Sequence, residues 1–401
     1  MCVMKPDLPM LDAAFISSPF DHWASYRAHA PLFFSAENGF WVASRYEDVE
    51  ALLRNTSVFS SASGPGGDIT NENNRSPQDT AGFLPLLQND PPEHTRLRSL
   101  MSRSFTSRRI AALEKPMHAM AENLLEGLLA KLECDGQADL YADYASPLPV
   151  NVIATLLGIP EAFYERLAFW NQALGMDSNP DTKGSLTNEM DEALAAVIAE
   201  KRETPGDDLI SALVAIADEE GQRLHSDELL GFCKLLWIAG NETTTNLICN
   251  AALFLQSHPE ILQQLRDDKS LIEAFVEEAL RLEGPVNGLF RRVAHDYNYK
   301  GCELKAGDNV WLLFGSANRD ESIFPDAAEF KLARKEAQHL ALGKGIHFCM
   351  GAPLARMEAR VAFEHLVDVM HRFKIDDEGG KRIPIAILRG WLSLPVVPVT
   401  E

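Results

Sequence analysis

The feature that most constrains this chain is the run from His339 to Glu358, where one cysteine closes a glycine-punctuated loop and a helical pattern follows at once. The run reads His339-Leu340-Ala341-Leu342-Gly343-Lys344-Gly345-Ile346-His347-Phe348-Cys349-Met350-Gly351-Ala352-Pro353-Leu354-Ala355-Arg356-Met357-Glu358. From Leu354 onward, Met357, Glu358, Val361, Ala362, His365 and Leu366 recur at three- and four-residue spacings, the period of a helix with one inward face. A thiol at the start of such a helix meets unpaired backbone N–H groups and the positive end of the helix dipole. That setting is expected to lower its pKa from a reference of ~8.5, and coordination to a metal lowers it further. Gly343, Gly345 and Gly351 free the backbone and remove side chains, so a flat ligand can lie against the main chain.

The run resembles the haem-binding loop of the cytochrome P450 family, Phe-Gly-x-Gly-x-His-x-Cys-x-Gly followed by a helix. Every position matches except the first, which is Leu342. The resemblance implies that Cys349 is the axial thiolate on haem iron, with Gly351 beside it, and that His347 donates to a haem propionate. An axial thiolate pushes electron density through the iron and favours O–O cleavage. The family's aromatic at the first position packs near the thiolate, so Leu342 is expected to alter redox potential or haem retention.

Composition narrows the setting. The 401 residues are 46% hydrophobic and 24% charged, an ordinary globular balance with ample core. No run of ~18 or more apolar residues is present, so no membrane span is expected. Met1 to Asp12 lacks the basic and apolar regions of a signal peptide. Eukaryotic family members usually carry an N-terminal membrane anchor, so the resemblance is to a soluble, bacterial-type, cytoplasmic member. Cys2, Cys134, Cys233, Cys249, Cys302 and Cys349 include no Cys-x-x-Cys pair, which suggests neither a zinc site nor a disulfide framework and fits a reducing cytoplasm. A formal net charge of −21 argues against nucleic-acid or anionic-membrane partners.

Along the chain, Pro31 to Phe34 and Phe40 to Ala43 read as two short strands joined by a turn at Asn38-Gly39, with a short amphipathic helix from Tyr46 to Arg54. Ser61 to Gln78 is rich in Gly, Ser, Asn and Pro and reads as a long loop. Its Gly64-Pro65-Gly66-Gly67 lacks the Lys-Ser/Thr of a phosphate-binding loop. In the family this region, through about Leu87, covers the substrate pocket, which brings in Phe83. Asp90-Pro91-Pro92-Glu93-His94-Thr95-Arg96-Leu97-Arg98 opens a helix with His94 and Arg98 on one face, able to aim donors at a pair of carboxylates. It resembles the family's Asp-Pro-Pro-x-His-x-x-x-Arg segment, whose His and Arg hold the haem propionates. Arg96, Arg98, Arg103, Arg108 and Arg109 form a basic patch in an acidic chain, suited to an acidic redox partner. From Ala111 to about Ile216 the pattern is mostly helical, without recognisable chemistry.

Ser226-Asp227-Glu228 offers an N-cap and first-turn acids, and helical pattern then runs to about Ser257, ~48 Å at ~1.5 Å per residue. Apolar residues cover several faces, so this helix is expected to be buried. At its centre lies Ala239-Gly240-Asn241-Glu242-Thr243-Thr244, and a glycine within a helix, which costs ~1 kcal/mol relative to alanine, asks for a reason. The family resemblance is to Ala-Gly-x-Glu/Asp-Thr, where the helix bulges over the haem. The Thr243 hydroxyl is placed to take the Ala239 carbonyl and open the helical ladder locally. The resemblance implies that Ala239 and Gly240 border the haem, that Thr243 steadies bound dioxygen, and that Glu242 relays protons to its distal oxygen.

Ser270-Leu271-Ile272-Glu273 reads as a capping box opening a further helix that Gly284-Pro285 terminates. Glu278 and Arg281 within it match the family's Glu-x-x-Arg. Asn318 to Asp320, Phe324 to Asp326, Phe330 and Arg334 resemble the meander that supplies a third member, Arg334. The implied triad is structural and fixes the haem loop from behind. Val286 to Phe290 is expected beside the haem, with Arg291 aligned to a propionate-binding arginine and Arg292 as the neighbouring alternative. Val310 to Phe314 reads as a buried strand, and Ile383 to Val399 as strand-like, with a turn at Arg389-Gly390 whose tip lines the pocket.

These matches lie in order from residue 89 to 358, and the flanking strands agree. The fold expected is that of cytochrome P450: mainly α with a small β-rich lobe, one domain over residues 1–401, a haem loop at 339–358 and an oxygen-activating helix at about 226–257. The function implied is monooxygenation, the insertion of one atom of O2 into a hydrophobic small organic molecule. Haem b (iron protoporphyrin IX) is the cofactor, and NAD(P)H electrons arrive through a separate ferredoxin or flavodoxin with its reductase. A peroxide-driven oxygenase and a non-catalytic haem-binding sensor are the alternatives, both disfavoured by Glu242-Thr243. Phe83, Leu236, Ala239, Val286, Leu289 and Leu392 are the expected pocket residues, mostly apolar.

Overall fold

The computed structural model describes residues 6–62, 84–164, 166–167, 169–170, 180–218, 224–334 and 338–399. Phe83 and most of the Ser61 to Gln78 loop lie outside the described residues. The architecture is mainly α with small sheets to one side. Six helices frame the site: α1 (Glu93–Ser104), α2 (Glu114–Asp135), α3 (Pro147–Leu157), α4 (Ser226–Ser257), α5 (Ile272–Glu283) and α6 (Ala352–Val369). No described helix is long and apolar enough to cross a membrane.

The long helix α4 spans the bounds that its sequence pattern predicts, but its cap lies one residue earlier. The His225 ring accepts from the Glu228 N–H, and the Glu228 carboxylate accepts from the His225 N–H at 2.8 Å, a reciprocal pair that reaches past Ser226. Helix α5 likewise starts later than its pattern suggests. Lys269–Leu271 forms a 3₁₀ turn that Asp268 caps by accepting from the Ser270 N–H, and α5 follows from Leu271 without a side-chain cap, so the capping box expected at Ser270 is not formed. Leu247, Ile248 and Ala251 of α4 pack in one apolar core with Leu125 and Leu128 of α2 and Val361, Ala362 and Phe363 of α6. Gly240 has a packing reason as well as a chemical one. A Cβ there would come 2.9 Å from Cδ1 of Ile153, so the glycine lets α3 approach α4.

The main sheet has five strands: β1 (Leu32–Ser35), β2 (Phe40–Ala43), β3 (Phe59–Ser60), β4 (Leu289–Val293) and β5 (Asn309–Leu312), in the order β1-β2-β5-β4-β3. Its central pair β2/β5 is parallel, with Val42 opposite Trp311, and the other pairs are antiparallel. Phe290 stacks on Trp311 at 6.0 Å and meets Phe40 edge-on at 4.9 Å. Side chains alternate along a strand, so Arg291 leaves on the opposite face of β4 from this aromatic group. The strand expected over Val310 to Phe314 stops at Leu312, because Phe314–Ala317 already turns as a short helix. A short C-terminal hairpin, β6 (Lys381–Arg382) and β7 (Trp391–Ser393), carries the turn containing Arg389-Gly390.

Candidate haem-thiolate site

The loop before α6 is built as its glycines require. Gly343 and Gly345 have φ of +71° and +70°, which side-chain-bearing residues rarely adopt. The Cys349 N–H donates to the Leu342 carbonyl at 2.9 Å, closing the loop on itself, and α6 begins three residues after the cysteine. Sequence reasoning expected a lowered thiol pKa here, and the protein alone does the reverse. Burial pushes the Cys349 thiol up. The Gly351 and Ala352 N–H groups and the Arg98 and Arg356 charges pull the other way and do not offset it. The donors of the helix start are therefore present, but a thiolate here needs a cation bound to the sulfur itself.

Around the thiol stands a group of donors. Arg98 of α1 donates from Nη2 to the Phe348 carbonyl at 2.8 Å. The His94 and His347 rings lie 4.3 Å apart. Both His94 ring nitrogens and His347 Nε2 are buried without a hydrogen-bond partner. Arg291 is buried, and its Nη1 donates to its neighbour's carbonyl, Phe290 O, at 2.8 Å. Burial, then the charges of Arg291, His94 and Arg98, hold the His347 pKa down to about 3. Burial likewise lowers His94, and lowers Arg291 to about 10, with Asp90 the opposing charge in each case. Asp90 is itself engaged by the Ser60 hydroxyl and the Ser61 N–H. Sites that bury this many donors call for an anion, because an unmet buried donor costs ~1–3 kcal/mol. A ligand with two carboxylates and a thiophilic metal fits both halves of the site, and haem b is such a ligand.

On α4, the Thr243 hydroxyl donates to the Ala239 carbonyl at 2.7 Å. The helix nonetheless runs as α-helix from Ser226 to Ser257, so this back-bond does not open the ladder into a separate bulge. Leu236, Ala239, Gly240 and Thr243 form one accessible face, whereas Asn241, Thr244 and Thr245 on other faces are buried. Accessible surface in the middle of a core helix marks a cavity edge. Val286, Leu289 and Leu392 are also only half-buried.

Behind the loop, Arg281 donates to Glu278 through Nε and Nη2 at 2.7 Å each, and Arg334 Nε reaches the same carboxylate at 2.8 Å. Asn318 ties this triad to the loop, accepting from Arg281 at its carbonyl (2.8 Å) and from the Leu340 N–H at Oδ1 (2.6 Å). The exposed basic patch expected near α1 is broken up. Arg96 pairs with Glu93 and Glu228, Arg98 turns inward, and Arg109 lies 3.8 Å from Asp207. Arg292 is exposed, and Arg291 is the buried one of the two. Sequence reasoning did not pick out Tyr141, whose hydroxyl is pushed up to about 12 by burial and by the nearby Glu242 charge. It also passed over Asn246, which touches the Glu242 carbonyl. A polar residue one turn beyond Glu242 on a buried helix was the available signal.

A profile of the Cytochrome P450 family matches residues 181–397. The Streptomyces venezuelae cytochrome P450 monooxygenase PikC is 37% identical over 97% of this chain and 93% of its own length. The vitamin D(3) 25-hydroxylase of Pseudonocardia autotrophica is 38% identical over 89% of this chain and 87% of its own. The crystal structure of CYP109E1 from Bacillus megaterium with testosterone superposes with a TM-score of 0.83 at 33% identity, covering 96% of this chain and all of that one. A cysteine loop ringed by donors that await an anion, on a chain with these relatives, belongs to the cytochrome P450 family, and the protein is a haem-thiolate monooxygenase using haem b, O2 and NAD(P)H-derived electrons.

Proposed function

We propose that Cys349 is the iron ligand and that His94, Arg98, Arg291 and His347 hold the two propionates. The observation that carries this reading is the set of buried, unmet donors around the thiol. When bound, haem supplies the reductive activation of dioxygen and the transfer of one oxygen atom to substrate. The chain's own residues do the rest. Gly351 and Ala352 N–H groups and Arg98 steady the sulfur's negative charge. Carboxylate acceptors would take up the proton-donating nitrogens of His94 and His347, replacing an unpaired burial with charge-assisted bonds. Ala239 and Gly240 offer a thin helix face, so that a flat ligand can lie close. Thr243 holds its hydroxyl on α4 with the lone pairs free, and Glu242 beside it is the proton donor to that face.

The substrate is an apolar small molecule, received by Leu236, Ala239, Val286, Leu289 and Leu392. That choice rests on the absence of charge among these residues and on the lipophilic compounds in the names of two relatives, vitamin D(3) and testosterone. Phe83 is kept as a further pocket residue on the resemblance alone. Electrons come from a separate ferredoxin or flavodoxin in the cytoplasm, and with Arg96 and Arg98 engaged within the chain, Arg103 and Arg108 are the exposed cations of the expected patch that face the acidic partner. The test is the absorption spectrum of the reduced protein under carbon monoxide, with Cys349→Ala alongside. A strongly red-shifted Soret band lost in the variant is expected. A band at the histidine-ligated position in the native protein overturns the assignment of Cys349.

A further inference from the structure

The C-terminal turn is fastened to the middle of α4 by two asparagines one helical turn apart. Asn246 donates from Nδ2 to the Glu242 carbonyl at 2.9 Å and accepts at Oδ1 from the Trp391 N–H at 2.8 Å. Asn250 donates to the carbonyls of Glu283 (3.1 Å) and Arg389 (3.0 Å). Between the two contacts sits Gly390, where a Cβ would lie 2.1 Å from Cγ and Oδ1 of Asn246. No side chain fits between turn and helix at that point.

The far side of the same turn is joined to the other pocket wall. Leu388 pairs with Val286, the Arg389 N–H donates to Pro285 O at 2.8 Å, and the Asn287 N–H donates to Ile387 O at 2.8 Å. Asn287 Nδ2 also donates to Ala386 O at 2.9 Å. Leu392 follows Trp391 directly, so residues on both flanks of the turn are those that receive the substrate. Asn246, at 1% exposure, is the link that runs from them to the backbone of Glu242 in one side chain. A buried amide that uses both its oxygen and its nitrogen on two separate segments fixes their relative position, since moving either leaves a polar atom unmet.

We propose that Asn246 is a positioning residue that couples the substrate-lining turn 386–392 to the proton-handling pair Glu242–Thr243. The proposal rests on the reading of Glu242 as proton donor. Filling the pocket presses on the turn, and Asn246 transmits that load to the Glu242 carbonyl rather than to the haem-holding donors. Proton delivery is thereby tied to occupancy, while haem binding is not.

The experiment uses the haem-loaded enzyme with a surrogate ferredoxin and reductase, and testosterone as the probe. It compares the native protein, Asn246→Ala, Gly390→Ala, Glu242→Gln and the Glu242→Gln/Asn246→Ala double variant. The readouts are the solvent isotope effect on NAD(P)H oxidation and the share of its electrons recovered as hydrogen peroxide, both measurable whether or not testosterone is hydroxylated. Haem content and the carbon monoxide band report separately on haem binding and are expected to be unchanged. Asn246→Ala and Gly390→Ala are expected to raise the peroxide share about fivefold and to move the isotope effect in the direction of Glu242→Gln. The double variant is expected to go no further than Glu242→Gln alone, as residues of one linkage do. Gly390→Ala displaces the turn without altering any α4 side chain, so it carries the test if Asn246→Ala loses haem. Native behaviour of both variants beside an altered Glu242→Gln overturns the inference and leaves the function reading intact, as does full additivity in the double variant. Native behaviour of Glu242→Gln overturns that reading and the inference with it.

Discussion

Two clusters of buried charge flank the cysteine loop, and they are built on opposite principles. Behind the loop, Glu278 faces Arg281 and Arg334 and also accepts from the Lys331 N–H at 3.0 Å. Arg281 spends its remaining donors on the carbonyls of Asn318, Ala327 and Glu329. Every charge there has its partner within the chain. In front, His94 and His347 are buried with ring nitrogens unmet, Arg291 is buried beside them with Nη1 on the Phe290 carbonyl, and Asp90, the carboxylate that opposes them, is held by Ser60 and Ser61. The first cluster is complete as folded and serves as a frame. The second carries a cost that a dianionic ligand would remove. Chemically similar residues thus divide into structure and binding according to whether the chain itself meets their hydrogen bonds.

The comparison is broken most severely at Glu278. Glu278→Gln leaves two buried guanidinium groups without their carboxylate, and loss of one partner from a buried ion pair costs about 3–5 kcal/mol. We expect that loss in the apo-protein and the haem-loaded protein alike, read from urea midpoints with unchanged slope. Equal midpoints for native and variant apo-protein would show that the frame is not self-sufficient.

Glu358 of α6 belongs to neither type and sharpens the rule. It is 1% exposed, receives a hydrogen bond from Thr244, and leaves Oε1 without a partner. Burial with no cation raises its pKa from 4.5 to about 8, so the folded protein keeps it neutral at pH 7. An acid whose folded pKa is raised contributes stability that is fully present below the unfolded value and is lost as pH rises through the folded one. Native stability should therefore fall between about pH 4.5 and pH 8 by up to about 5 kcal/mol, at ~1.4 kcal/mol per pKa unit. Glu358→Gln removes the titration, and its stability should be flatter across that window. A native and a variant profile that run parallel from pH 5 to pH 8 would mean that the acid is paired or hydrated in solution.

Arg291→Leu tests the front cluster in the opposite sense from Glu278→Gln. Removing a buried cation with no carboxylate bonded to it should leave the apo-protein as stable as before or more so. Haem affinity should fall, by about 1.5–3 kcal/mol if one charge-assisted bond to a propionate is lost. Transfer of haem to an apo-globin measures the second quantity and urea the first. A variant that loses apo stability and keeps its haem would place Arg291 in the frame instead.

Much of this was legible in the sequence because it is local. The loop glycines, the i, i+3 spacing of Glu278 and Arg281, the i, i+4 spacing of His94 and Arg98, and the extent of α4 are all short-range patterns. What could not be read joins distant segments. Arg96 finds Glu228 across 132 positions, Trp391 finds Asn246 across 145, and neither contact leaves a periodic trace in the sequence. The direction of the Cys349 pKa was missed for a related reason. The helix start is visible in the sequence, while the burial that outweighs it depends on everything packed around the thiol. Phe83, proposed for the pocket on the resemblance alone, lies outside the described residues.

The smallest expected effect is at Leu342, and it falls on the boundary between the two clusters. Its carbonyl accepts from the Cys349 N–H at 2.9 Å, so the backbone at this position holds the cysteine in place whatever the side chain. The side chain is half-buried against the helical core, on the side of the loop that the frame supports. Leu342→Phe would enlarge that contact and further exclude water from the sulfur, without adding or removing a hydrogen bond. Exclusion of water raises the cost of charge at the iron–sulfur unit, and the burial around a metal ligand is one of the levers on its potential. The reduction potential of the haem-loaded protein should therefore shift measurably, while haem retention and urea midpoint stay near native values. An unchanged potential on redox titration would mean that the Gly351 and Ala352 N–H groups and the existing burial set the environment of the sulfur whatever stands at position 342, and the departure at Leu342 would then be a packing choice of the core.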